Sequence, residues 1–167
     1  VDSFSLVWNQ TQPNNYFGFT NIVFDELQID FVSDFNVDTL AINDVTADCT
    51  VRNGTNVNPR EYSCTTLPVI GTNWQAVIAT NANTVGTLVA IAPGGPHPGI
   101  PFLGGEILFQ LSPAPIILAV APSFSFPIPP QRSGIGVVIT TQGIRVDQVG
   151  PTVRVVLLNA LDLRLGL

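Results

Sequence analysis

The sequence predicts an all-β protein: a single β-sandwich or jelly-roll-like domain of many short antiparallel strands, with an extended strand at its N-terminus. Three observations carry this expectation. Apolar and polar residues alternate with period two through much of the chain, as on half-buried strands. Val, Ile, Thr and Phe, which fit a pleated surface, dominate those runs. The 14 glycines and 14 prolines leave little room for an amphipathic helix.

The first element is the run Ser3-Phe4-Ser5-Leu6-Val7-Trp8, which puts Phe4, Leu6 and Trp8 on one face. Residues 9–15, Asn-Gln-Thr-Gln-Pro-Asn-Asn, read as a tether. Residues 1–15 are thus a strand and tether, and residues 16–167 the sandwich. Within it, Leu27, Ile29 and Phe31 alternate with Gln28, Asp30 and Val32. Val45, Ala47, Cys49 and Val51 do the same, as do Leu161, Leu163, Leu165 and Leu167. Further strands are expected near 16–24, 37–42, 61–67, 73–79, 84–92, 105–111, 115–121, 134–140, 142–149 and 152–159. Turn chemistry separates them at Asn53-Gly54, Asn81-Ala82-Asn83, Thr141-Gln142-Gly143 and Gly150-Pro151. Two Pro-rich stretches, residues 92–101 and 122–130, read as rigid extended loops, the second with Phe124, Phe126 and Ile128 capping the core.

Cys49 and Cys64 are the only cysteines. A hairpin of strands 45–52 and 61–67 would set Arg52 opposite Glu61, Val51 opposite Tyr62 and Cys49 opposite Cys64. Non-hydrogen-bonded partners in such a pair lie about 4.5 Å apart at Cα, within disulfide range. A Cys49–Cys64 disulfide is expected, and with it an oxidising compartment. The chain has no Met and starts at Val1, as after removal of a secretory signal. The expected location is extracellular or on a cell surface. The sequons at Asn9 and Asn53 are candidate glycan acceptors, the second reachable in the hairpin loop.

Charged residues make up 11% of the chain, against about 25% in ordinary domains. All six bases are Arg, and eight acids precede the first of them. The net charge of -6 argues against nucleic acid and anionic membranes as partners. No apolar run is long enough to span a bilayer.

Catalytic chemistry is not expected. His97 is the only histidine and lies in a predicted loop, which excludes a multi-histidine metal site. No Gly-x-Ser-x-Gly elbow occurs, and without Lys there is no Walker loop or Schiff base. Glu61, Glu106 and Asp25/Glu26 are the carboxylates a glycosidase would use, but no spacing singles out a pair. No metal site is assigned. Ca²⁺ is the one cofactor with candidate ligands, Asp25, Glu26, Asp30, Asp34, Asp38, Asp44 and Asp48, which otherwise solvate outward faces. Trp8, Trp74, Tyr16 and Tyr62 would form a sugar platform if exposed, although Trp8 and Tyr62 fall on apolar faces.

Both ends of the chain keep the strand pattern. A strand on a tether, carrying Phe4, Leu6 and Trp8, suits addition to a neighbouring subunit's sheet. In general character the chain is similar to subunits of extracellular filaments built by donor-strand exchange, including archaeal and spore-surface fibres. The likeness is one of architecture and composition, and no site is carried over from it. The expected function is a structural subunit of a self-assembling extracellular filament, a homopolymer whose partners are copies of itself. The alternatives are a virion or shell jelly-roll protein, and a secreted carbohydrate-binding or adhesin module.

Overall fold

The two longest strands, of 12 and 13 residues, are neighbours in the interior of the largest sheet. A computed structural model describes residues 45–167. Ten strands occur there: β1 Asp48–Arg52, β2 Tyr62–Cys64, β3 Asn73–Ile78, β4 Thr84–Ala92, β5 Pro96–Phe102, β6 Gly105–Phe109, β7 Ile116–Val120, β8 Ser123–Pro127, β9 Val138–Val149 and β10 Thr152–Arg164. All named pairings are antiparallel. They make a five-stranded sheet in the order β1-β10-β9-β4-β7, a three-stranded sheet β2-β3-β8 and the hairpin β5-β6. The strands expected near 16–24, 27–32 and 37–42, and the strand and tether of 1–15, lie outside the described residues.

The large sheet is the middle layer. Tyr62, Trp74, Ala76 and Ile78 pack on one face of it, against Val89, Leu158, Leu161 and Leu163. On the other face, Phe109 and Ile107 of the hairpin pack against Ala90, Ala92, Ile144 and Leu157. Each large apolar side chain so buried contributes about 1.5–3 kcal/mol. Coverage on both faces explains why β4 and β9 are buried almost throughout their centres.

Four sequence expectations need correction. The expected hairpin of residues 45–52 and 61–67 does not form: β1 pairs with β10, placing Cys49 opposite Leu163, and β2 pairs with β3, placing Cys64 opposite Ala76. The charges meet other partners, Arg52 with Asp162 and Glu61 with Arg145. The apolar run of β10 offers β1 a longer ladder than the short β2 could.

Secondly, Thr141-Gln142-Gly143 is not a turn, and strands 134–140 and 142–149 merge into β9. The polar triplet is buried because each member has a partner: Thr141 Oγ1 lies 3.0 Å from Tyr62 Oη. Gln142 bonds the backbone of β6 and β10. Gly143 lies beneath the Tyr62 side chain, where an added Cβ would come within 2.9 Å of Tyr62 Cγ.

Thirdly, strands 152–159 and 161–167 merge into β10 through a bulge between Leu157 and Ala160. Leu158 and Leu161 stand three residues apart, so strict period two would send them to opposite faces. The bulge absorbs one step and keeps both in one core.

Fourthly, most of both Pro-rich loops is strand. Residues 96–102, with His97, are β5, and 123–127 are β8. Both lie at sheet edges, where a missing proline N–H costs no ladder bond. Phe124 and Phe126 turn inward onto Trp74, at ring-centroid distances of 5.9 and 6.2 Å. The Gly150-Pro151 turn does join β9 to β10, with Gly150 at φ +59, a conformation that glycine takes without steric cost.

Candidate functional site

β7 is an end strand of the five-stranded sheet. One side pairs with β4, from Ile91 opposite Ile116 to Thr87 opposite Val120. Among the described residues, no strand pairs with its other side. Ile116 and Ile117 are 57% and 58% exposed. No charged residue occurs between Glu106 and Arg132, so the whole edge is neutral. Natural edge strands are usually blunted by charge, bulges or proline. Here Pro115 and Pro122 bracket the strand and none interrupts it.

Directly opposed residues share a face. Ile116, Leu118 and Val120 therefore lie on the same face as Ile91, Val89 and Thr87, the side covered by Tyr62 and Trp74. Ile117 and Ala119 lie on the other. Where β7 ends, β4 continues, and an open groove of about 360 Å³ lies there between Thr80, Asn81, Thr84, Gly86 and Val120.

A second, mixed polar and apolar surface lies on the β10 side. Val57, Leu103 and Val155 border a cleft of about 100 Å³ with Arg154 and Leu157. Leu103, 63% exposed, has φ +50 at the tip of the β5-β6 hairpin. That conformation costs a non-glycine residue about 1–2 kcal/mol.

Polar residues join the layers. Asn58 Nδ2 donates to Glu106 O and Leu158 O, while its Oδ1 accepts from Glu106 N. Arg52 donates to Asp162 through Nε at 2.7 Å and Nη2 at 3.1 Å, and also to the carbonyls of His97 and Leu108. Thr55 donates to the Glu106 carboxylate from both its hydroxyl and its amide, which holds that carboxyl below the usual range. Asp147 is pushed upward by desolvation, but hydrogen bonds from Thr84, Asn81 and Arg145 outweigh this and hold it low. Burial raises the Tyr62 phenol far above its ordinary value, although Thr141 opposes this.

The residues singled out in the sequence fall as follows. Cys49 and Cys64 are bonded to each other, with Cα atoms 6.6 Å apart, and join β1 of the large sheet to β2 of the small one. Phe4, Leu6, Trp8, Asn9 and Tyr16 lie outside the described residues. Asn53, expected to be reachable, is only 7% exposed, and its Nδ2 donates to Asn58 O. The loop folds back on itself instead of projecting. Tyr62 and Trp74 are each 2% exposed, so neither can stack on a sugar. Glu61 is engaged by Arg145 and Glu106 by Thr55. His97 accepts from Gly99 N at Nδ1. Of the acidic series only Asp48 is described; it is exposed and accepts from Thr50. Among the described residues, no group of three or more His, Cys, Asp or Glu side chains is arranged to hold a metal.

Sequence reasoning placed β7 but not its exposure. The available signal was the long uncharged stretch around it. No family model matches the chain. No curated protein and no solved structure matches it either.

Proposed function

We propose that this protein is a structural subunit of an extracellular filament, a β-sandwich with an extended first strand that assembles with copies of itself by strand addition. The observation that carries the reading is the neutral edge of β7, beside which no other described strand lies, with Ile116 and Ile117 exposed. Such an edge is a template for pairing with another chain. The second cleft, around Val57, Leu103, Arg154 and Val155, belongs to the opposite half of the sheet order. Contacts between two different surfaces run head to tail and propagate instead of closing into a dimer. The disulfide supports secretion into an oxidising compartment.

The test is to concentrate the full chain under oxidising conditions, with and without residues 1–12, and image both by negative-stain electron microscopy. Ordered fibres from the full chain alone are expected. A folded monomer at high concentration would turn the reading towards a monomeric binding module.

A further inference from the structure

We propose that Asn53-Gly54 is a deamidation site that the fold keeps closed and that unfolding opens. Once converted, position 53 no longer suits the native turn, so the modified chain does not regain the fold. The proposal holds whether or not the chain assembles.

Asn53-Gly54 is the one Asn-Gly pair in the chain. Asparagine amides are thermolabile, and a following glycine, having no Cβ, leaves the attacking backbone nitrogen unhindered. In the reaction the Gly54 nitrogen bonds to Asn53 Cγ and gives up its proton. The Cγ–Nδ2 bond breaks, and ammonia leaves with that proton. Water then opens the succinimide ring at one of its two carbonyls, to aspartate or to isoaspartate. Water is the only co-reactant.

The folded chain opposes these steps. The Asn53 side chain is buried, and Nδ2, the leaving nitrogen, donates to Asn58 O at 2.8 Å. Negative charge gathers on Oδ1 during the attack. That atom is buried and has no hydrogen-bond donor among the described residues. A developing oxyanion needs donors aimed at it, and without them its burial is costly. Asn53 O also accepts from Asn56 N at 2.6 Å, which fixes the backbone of the turn.

The fold needs both members of the labile pair. Gly54 has φ +47, and an added Cβ would collide with the Glu106 carboxylate. It would also lie 2.7 Å from Leu108 Cδ2 and 2.9 Å from Pro98 O. Conversion at position 53 removes the Nδ2 donor. An aspartate there sets a carboxylate oxygen against Asn58 O, acceptor against acceptor, in a buried place. An isoaspartate lengthens the main chain inside the turn that Asn56 N closes on Asn53 O. Asn58 binds Glu106 O and Leu158 O, so the disturbance reaches the link between β6 and β10.

The test holds the full-length chain, disulfide intact, at one temperature and one mildly alkaline pH. One sample is folded in buffer and the other unfolded in guanidinium chloride, and both are mapped by mass spectrometry at intervals. A domain of ordinary stability is unfolded for less than about one part in a thousand of the time, so conversion at Asn53 is expected to run at least about a hundredfold faster in the unfolded sample. Equal rates, or no conversion in the unfolded chain, overturn the gate.

Unfolded chains are then refolded after increasing times, and the native and non-native pools are separated by size and mapped. Aspartate and isoaspartate at position 53 are expected in the non-native pool. Equal shares in the two pools overturn the claim that the turn rejects them. Asn53→Asp made directly is a second check: a lowered urea midpoint, or failure to fold, is expected. A midpoint equal to that of wild type overturns the same claim.

Discussion

The side-chain amide of Asn159 pairs with both backbone groups of Tyr62, as a neighbouring strand would. Its Oδ1 accepts from Tyr62 N at 3.0 Å, and its Nδ2 donates to Tyr62 O at 2.7 Å. The β10 bulge throws Asn159 out of its own ladder, and the freed side chain ties the large sheet to β2. Asn58 and Gln142 do the same for β6 on the other face. Three buried amides therefore stand in for ladder bonds between layers.

Replacing Asn159 with Leu would leave the Tyr62 amide and carbonyl buried without partners. Each such group costs about 1–3 kcal/mol, so Asn159→Leu is expected to lower stability by about 2–5 kcal/mol in urea unfolding. A change under about 1 kcal/mol would show that water or other groups satisfy Tyr62.

Gly143→Ala tests the close approach of Tyr62. The new methyl would meet Tyr62 Cγ at 2.9 Å and Cβ at 3.0 Å. Overpacking of this kind costs about 1–3 kcal/mol. The paired variant Gly143→Ala/Tyr62→Leu is expected to recover part of the loss, which a thermal melt would show. If the single change is neutral, the ring has room to move.

Stability is expected to fall at both pH extremes. Glu106 and Asp147 have folded values below those of ordinary carboxylates. As pH falls below about 4–5, the unfolded chain takes up their protons first, so their contribution is lost. It is fully present above that range. Tyr62 has the opposite sign: its folded value is raised, so its contribution is lost as pH rises above about 10. Melting temperature against pH, for wild type and Thr55→Val, measures the first effect. Thr55→Val should weaken the acid limb; an unchanged limb would remove Glu106 from the account.

Asn53 should carry no glycan in the folded protein. The nitrogen that would bear the sugar belongs to a buried side chain and is bonded to Asn58 O, and the sequon threonine is bonded to Glu106. Secretion from a glycosylating host followed by intact-mass measurement should show the soluble fraction unmodified there. Full occupancy in a natively folded sample would mean that the turn opens.

The fold class was legible because period two survives wherever one face is buried, as in β3, where Trp74, Ala76 and Ile78 point inward. It failed in β9 and β10 for the opposite reason. Strands buried on both faces by separate layers lose the alternation, and Thr141-Gln142-Gly143 then resembles a turn. Pairing partners were less legible still. Arg52 opposite Glu61 looked right locally, but sequence cannot show that Asp162, 110 residues away, supplies a two-point contact. The exposure of β7 depends on which strand ends the sheet, which no local pattern encodes. Its neutrality was visible, and its meaning was not.

The disulfide supplies a test of that pairing as well as of stability. Cys49 and Cys64 are separated by 15 positions, and closing a loop of that size stabilises by about 3 kcal/mol through the unfolded chain. Cys49→Ser/Cys64→Ser is expected to lose about that much, measured by denaturant midpoint at unchanged slope. If β1 and β2 were partners in one hairpin, the loss would expose the amides of both strands together. Here β1 is held by β10 and by the Arg52–Asp162 pair, while β2 is held by β3 and Asn159. Hydrogen exchange should therefore show both strands still protected, each opening with its own sheet. Joint opening of β1 and β2 in the double variant would mean that the bridge, and not the sheets, holds them in place.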